Sequence, residues 1–331
     1  MTARADFLII TPLDDERLAL RAIIPDFVRA PATQSPTNTY YTCTLATKPV
    51  GRVGSSYQLV LMSILEMGQV NAAAAASDAI AKWQPRYVLL VGIAGGYADA
   101  GVKVGDVLVA NQIVEYEAQK FTETGQQVRW HTYNSDPRLL SASHNLSESE
   151  WVPLVPHANP DPATRPSVHF GPIMSGDKVD ANGSTSQYRS TWPKALGVEM
   201  EASGVAAAAA QSPAHPGLLV VRGVSDLADR NKQTDQESGG RQYACKTAAA
   251  FSVGLMLSEP ITPQLTRAEG TAESEVMSGE LVRELLDAAM KRYRFLRLRK
   301  AQVGWDASTS LDMELDEISH EIQNLRQRLG A

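Results

Sequence analysis

The stretch Leu218–Asp229, LLVVRGVSDLAD, constrains the fold more than any other part of the chain. Leu218 to Val221 form a continuous apolar run rather than an alternating one, the pattern of a strand buried on both faces. Arg222 and Gly223 interrupt the run, and Ser225-Asp226 fall where the strand should end. Ligands in open α/β sheets bind at the carboxyl ends of strands, so a carboxylate at Asp226 is well placed for chemistry. The alternative is that Asp226 caps the turn or helix that follows, as Asp often does.

The rest of the chain repeats this alternation of strand and helix. Phe7–Ile10 reads as the first strand, and Pro12 with Asp14, Asp15 and Glu16 marks a turn into a helix over about Asp14–Ile24. Acids in a first helical turn suit the helix dipole, which is the bland reading of all three. Strands follow at Tyr40–Thr47 and Tyr57–Ile64, then an Ala-rich helix over about Val70–Trp83. Tyr87–Val91 is a further buried strand, ending in the small-residue loop Gly92-Ile93-Ala94-Gly95-Gly96, where a ligand can approach the backbone closely. Strands beginning at Gly105 and spanning Val168–Met174 and Leu196–Val198 come next, with a second Ala-rich helix over Ala202–Gln211 and a long closing helix over Gln236–Leu257. This order predicts a three-layer α/β/α sandwich around a mixed twisted sheet. The polar segment Glu123–Ser167 is either a lid over a site or a surface excursion.

After Glu259 the composition changes. Pro260, Pro263 and the Glu/Ser/Thr/Gly-rich Ala268–Ser278 read as a linker. Two helices are expected beyond it, near Gly279–Ala301 and Ser310–Leu329. Val282, Leu286, Ala289, Tyr293 and Leu296 form an apolar stripe in the first; Leu311, Leu315, Ile318, Ile322, Leu325 and Leu329 form one in the second. Residues 1–258 are therefore the main domain, 259–278 a linker and 279–331 a helical hairpin, a C-terminal appendage for self-association, docking of a protein partner or regulation. The net charge of −6 argues against a general nucleic-acid binder, and the basic run Lys291–Lys300 reads as a solvated helix face. Cys43 and Cys245 are too few for a disulfide framework or a zinc cluster, and no metal or cofactor is expected. The apolar run in MTARADFLII is short for a signal peptide and no stretch reaches membrane-spanning length, so no membrane association and a cytoplasmic location are expected.

Two acids flank a methionine in Val198-Glu199-Met200-Glu201-Ala202, at a strand-to-helix junction. Carboxylates two apart there point in different directions, so one can serve a ligand while the other faces structure. One carboxylate accepting two O–H bonds matches a vicinal diol, and a Met side chain can cover an apolar sugar face. With Asp226 and Glu16, the site would hold three separated acids around a glycine-lined floor. That suits cleavage of an N-glycosidic bond: one acid protonates the leaving base, one activates water, and one holds the ribose as oxocarbenium character develops.

The segments GIAGG, VGDVLVA, SGD, GVEMEASGVA and VVRGVSDLAD resemble the purine nucleoside phosphorylase/uridine phosphorylase superfamily, over about Asp6–Leu257. They are most similar to its nucleosidase branch, the methylthioadenosine/S-adenosylhomocysteine nucleosidases. The resemblance implies Asp226 as general acid at purine N7, oriented by Ser225, and Glu16 as the base that activates water. It implies Glu201 on the ribose hydroxyls, with Glu199 beside it and Met200 against the sugar. It further implies Ala94 and Gly95 as floor, with Ile93 beside them in place of the family's small hydroxyl residue, and the backbone around Val179 reading the base. Phosphorylases of the superfamily place cations where this chain holds Asp14-Asp15-Glu16, so hydrolysis is favoured over phosphorolysis by like-charge repulsion; a nucleotide-sensing module without turnover is the other alternative. Lys178-Val179 replaces the aromatic that stacks on the base in the thionucleosidases. This points to a phosphorylated purine, AMP or ATP with adenine released, with Lys178 as phosphate contact. Similar catalytic domains fused to helical parts resemble effectors of bacterial antiviral systems that deplete adenine nucleotides. The expected assembly is a homo-oligomer.

Overall fold

The computed structural model describes residues 4–31, 38–49, 51, 54–123, 125–156, 165–178, 180, 183–229 and 239–262, with isolated helical positions between 286 and 323. The elements in order are β1 (Phe7–Thr11), α1 (Asp14–Ile23), β2 (Val28–Arg29), β3 (Tyr40–Ala46), β4 (Ser56–Ser63), α2 (Gln69–Trp83), β5 (Tyr87–Gly96) and β6 (Val107–Glu115). Then come β7 (Gln119–Thr122), β8 (Gly125–Val128), β9 (His131–Asn134), α3 (Pro137–Asn145), α4 (Glu148–Trp151), β10 (Val168–Ser175), β11 (Gly197–Glu199), α5 (Ala202–Gln211), β12 (Gly217–Asp226) and α6 (Gly240–Leu257).

The main sheet runs β11-β10-β6-β12-β5-β1-β4-β3-β2, with β9 added to β6. It is mixed: β1 lies parallel to β4 and β5, and β12 lies parallel to β5 but antiparallel to β6. Because β11 pairs with both β10 and β5, the strands β5, β12, β6, β10 and β11 close on themselves. Alternate residues of each central strand enter different layers. Leu8 and Ile10 pack with the alanines of α2 and α5. Phe7 and Ile9 pack on the other side with Leu20 of α1 and Phe251 of α6. The three-layer arrangement follows from this alternation across a pleated sheet. No helix among the described residues is long and apolar enough to cross a membrane.

Two expectations need correction. Gly92–Gly96 is not a loop but the continuation of β5, paired with β12 and β11. Nor do Arg222 and Gly223 break β12, which runs unbroken to Asp226. Absence of side chains is what allows both: a Cβ on Gly223 would collide with the Ala244 carbonyl of α6, and one on Gly197 with the Gly95 carbonyl. Between Val224 and Asp226 the register slips, and Asp226 pairs with Gly95. Such an irregularity re-aims side chains at the end of a strand.

Of the described part of the 123–167 segment, β8 pairs with β7, β9 joins the main sheet, and α4 packs against α6: Trp151 is buried with its ring edge-on to Phe251, 5.6 Å between centroids. α6 begins at Gly240, and the expected start at Gln236 lies outside the described residues, as does most of the 259–278 linker. Of the C-terminal stripe positions, Leu286, Tyr293, Leu315, Ile318 and Ile322 are helical, while the others lie outside the described residues. The chain divides into two compact units, Met1–Leu265 and Thr266–Ala331.

Candidate active site

A cavity of about 240 Å³ opens where β1, β5, β11 and β12 end. Glu16, Ile93, Ala94, Gly95, Lys178, Glu199, Met200, Glu201, Ser225 and Asp226 all line it. Val179 lies outside the described residues. The sequence reading did not include Met67, Asp180 and Arg241 in this lining, nor Arg222 beneath it.

Glu16 stands in the first turn of α1, as the acidic triplet suggests, but it is not a solvent-facing cap. It is buried; Oε2 accepts from Leu13 N at 2.7 Å and Oε1 from Ile93 N at 2.9 Å. The β5 amide therefore holds the carboxyl group against the cavity floor. Burial, only partly offset by Arg222, pushes its pKa up to about 8. Gly92 makes the approach possible, since a Cβ there would overlap Arg222 Nη1 and lie 2.6 Å from Glu16 Oε1.

Arg222 is fully buried in mid-strand, and a charge there must be paired. Its Nη2 donates to Glu199 and, at 3.4 Å, to Glu201 Oε2. Burial opposes the guanidinium charge, but Glu199, Glu201 and Glu16 outweigh it and raise the pKa. Its Nε and Nη1 are buried and have no partner among the described residues. The apparent interruption of an apolar run was the signal for this residue: a charge that does not end a strand has a partner inside.

The two acids around Met200 divide as their spacing suggests. Glu199 touches the cavity, but its carboxylate is engaged by Arg222 and by the amides of Glu201 and Ala202, at 3.1 and 2.9 Å, at the start of α5. Glu201 lines the cavity, with Oε1 accepting from Gly68 N at 3.3 Å. Burial raises its pKa, Arg222 opposes this, and Glu199 adds to it.

Asp226, at the end of β12, accepts from Ser225 Oγ at 2.7 Å and from Ala228 N at 3.0 Å. The Ala228 bond is the local turn that the capping alternative describes, and it leaves Asp226 lining the cavity. Lys178 also lines it, but its ammonium pairs with Glu117 at 2.5 Å. No group of His, Cys, Asp and Glu among the described residues could hold a metal ion. The arrangement can donate a proton from one carboxyl group, take one at another and hold a diol at a third, around a single small ligand.

A family model described as the phosphorylase superfamily matches residues 6–255. The 5′-methylthioadenosine/S-adenosylhomocysteine nucleosidase of Maridesulfovibrio salexigens is 29% identical over 204 residues, covering 60% of this chain and 80% of that protein. The enzyme of the same name from Staphylococcus epidermidis is 28% identical over 179 residues, 53% of this chain and 71% of its own. Among solved structures, the Neisseria meningitidis nucleosidase of that name, in complex with methylthio-immucillin-A, superposes with a TM-score of 0.59 at 22% identity. The superposition covers 76% of this chain and 98% of that one. Futalosine hydrolase of Helicobacter pylori gives 0.59 at 19%, over 76% and 96%. At these identities the structural likeness shows the fold.

Proposed function

This chain belongs to the phosphorylase superfamily, and from that membership and its buried acids we propose that it is a purine nucleosidase, hydrolysing the N-glycosidic bond of a purine nucleoside or nucleotide. The named relatives are nucleosidases, which supports the reaction class. One observation carries the reading: Glu16, Glu201 and Asp226, from three separate elements, line one cavity.

In this mechanism Glu201 accepts hydrogen bonds from the ribose hydroxyls, and Met200 covers the sugar. Asp226, oriented by Ser225, gives its proton to purine N7, so the electron pair of the breaking C1′–N9 bond enters a base that leaves neutral. Glu16 takes a proton from water as the water oxygen bonds to C1′. The positive charge that develops on the sugar sits among carboxylates, which stabilises it. Phosphate as the attacking group would have to approach the buried Glu16 carboxyl group, which supplies no positive charge to hold it and repels it once ionised. Adenine as the base, with phosphate on the 5′ end as in AMP or ATP, is the finer part of the proposal.

The test is chromatography of free base released from a panel of nucleosides and nucleotides, with and without phosphate. Release without phosphate is expected. Asp226→Asn should lower it about 10²–10⁴-fold, the usual worth of a positioned acid. Release that requires phosphate, or an Asp226→Asn enzyme near wild-type rate, would overturn the reading.

A further inference from the structure

The mechanism leaves two cationic side chains of the cavity lining, Lys178 and Arg241, without a task. Arg241, in the first turn of α6, lines the cavity along with Pro12, Leu13 and Glu16. Taking the cavity as a nucleoside site, a reading on which this inference rests, we infer that Arg241 binds an anionic 5′ substituent and sets the preference for nucleotide over nucleoside.

Four acidic side chains line the cavity, Glu16, Glu199, Glu201 and Asp226, and the Arg222 guanidinium beneath them is already engaged by Glu199 and Glu201, so a phosphorylated substrate needs a further cation to meet its phosphate. The cation must reach the ligand and must give up its present partner at little cost. Arg222 fails on both counts, being fully buried and engaged by Glu199 and Glu201. Lys178 is exposed, but its partner Glu117 is only 24% exposed, and an ammonium is a single, strongly hydrated point charge.

Arg241 meets both conditions. Its partner is Asp15 at 3.4 Å, with the two side chains 38% and 53% exposed. An exposed pair of this kind is worth little. A guanidinium can take two phosphate oxygens at once, which makes the exchange of carboxylate for phosphate favourable. The first turn of α6 carries no acid that would compete.

Size places the contact at the mouth. About 240 Å³ is below the roughly 300–1,000 Å³ of pockets for drug-sized ligands. A base and ribose fill such a space, and a 5′ substituent has to leave through the opening. Arg241, lining the cavity yet partly in water, stands where that substituent would pass.

The experiment compares kcat/KM for AMP and adenosine in the full chain, as wild type, Arg241→Gln and Asp15→Asn. A charge-assisted bond is worth about 1.5–3 kcal/mol, so Arg241→Gln should lower the AMP-to-adenosine ratio about 10- to 100-fold, mainly through KM for AMP. Asp15→Asn, which releases the guanidinium, should raise the ratio a few-fold. An unchanged ratio in Arg241→Gln, or equal losses on both substrates, would overturn the inference. Binding separates its failure from failure of the hydrolase reading. By calorimetry on Asp226→Asn protein, AMP should bind more tightly than adenosine, and adding Arg241→Gln should erase the difference. Equal affinities before that second change would overturn the inference whether or not either compound is cleaved.

Discussion

A carboxyl group buried as deeply as Glu16 is favoured in its protonated form, yet a base must be ionised to act. With its pKa pushed up to about 8 by burial, Glu16 holds a proton at neutral pH in the free protein. If it activates water, kcat/KM should rise with pH through about 8, and Glu16→Gln should lose about 10²-fold or more together with that rise. A wild-type profile that is flat between pH 6 and 9 would rule Glu16 out as the base. Stability should move the other way. The raised pKa lies above the ordinary 4.5, so the folded chain binds the extra proton between the two values. The contribution is fully present below about 4.5 and is lost as pH rises through about 8. Melting temperatures of wild type should fall over that window more steeply than those of Glu16→Gln, whose amide does not titrate. Glu16, Glu201 and Asp226 were legible in the sequence because each follows or ends a strand, where a sheet presents its ligands. Arg222 was not, because a lone charge in an apolar run reads as a break until the fold brings Glu199 and Glu201 against it.

Strands and helices were largely legible as elements, because a buried strand and an Ala-rich helix have different periods. The ends were not. β5 and β12 continue through glycines that suggest loops, since Gly92 and Gly95 leave room for the side chains of Glu16, Arg222 and Asp226, and Gly223 for the backbone of α6 at Ala244. Contact of that kind depends on a partner far away in sequence, which local pattern does not contain. The same logic applies to the α2–α5 layer. A Cβ on Gly204 of α5 would collide with the Gln69 carbonyl at the start of α2. Gly204→Ala should raise helix propensity, by about 1 kcal/mol in an unhindered helix. Here overpacking, typically about 1–3 kcal/mol, should win. A lower melting temperature is the expected outcome, and a higher one would mean that the two helices separate without cost. Since Gly68 donates to Glu201 just before α2, the same substitution should also weaken substrate binding.

At the scale of the whole chain, the boundary of the first unit is set by a few polar contacts beyond α6. Glu259 accepts from Ser55 N at 3.0 Å, from Ser55 Oγ at 2.8 Å and from Thr47 Oγ1. Tyr57, whose side chain is buried, donates its hydroxyl to the Ile261 carbonyl, and Arg86 reaches that of Thr262. The composition change at Glu259 suggests a linker, yet these residues clasp the sheet, because a carboxylate and two carbonyls find donors there that the sequence does not place. The second unit, Thr266–Ala331, carries the helical stripe positions, and we propose that it directs self-association. Chains ending after Leu257 and after Leu265 separate these roles. Ending after Leu265 should keep base release and the melting temperature of the first unit, while the oligomer seen by sedimentation of the full chain should fall apart. Ending after Leu257 leaves the Tyr57 hydroxyl buried without an acceptor, at about 1–3 kcal/mol, and removes the Glu259 contacts as well. For a unit of this size each kcal/mol shifts melting by roughly 2–4 °C, so the shorter chain should melt about 4–10 °C below the longer one. Equal melting temperatures would mean that the clasp adds nothing to stability, and an unchanged sedimentation coefficient-to-mass relation on removal of residues 266–331 would place self-association in the first unit instead.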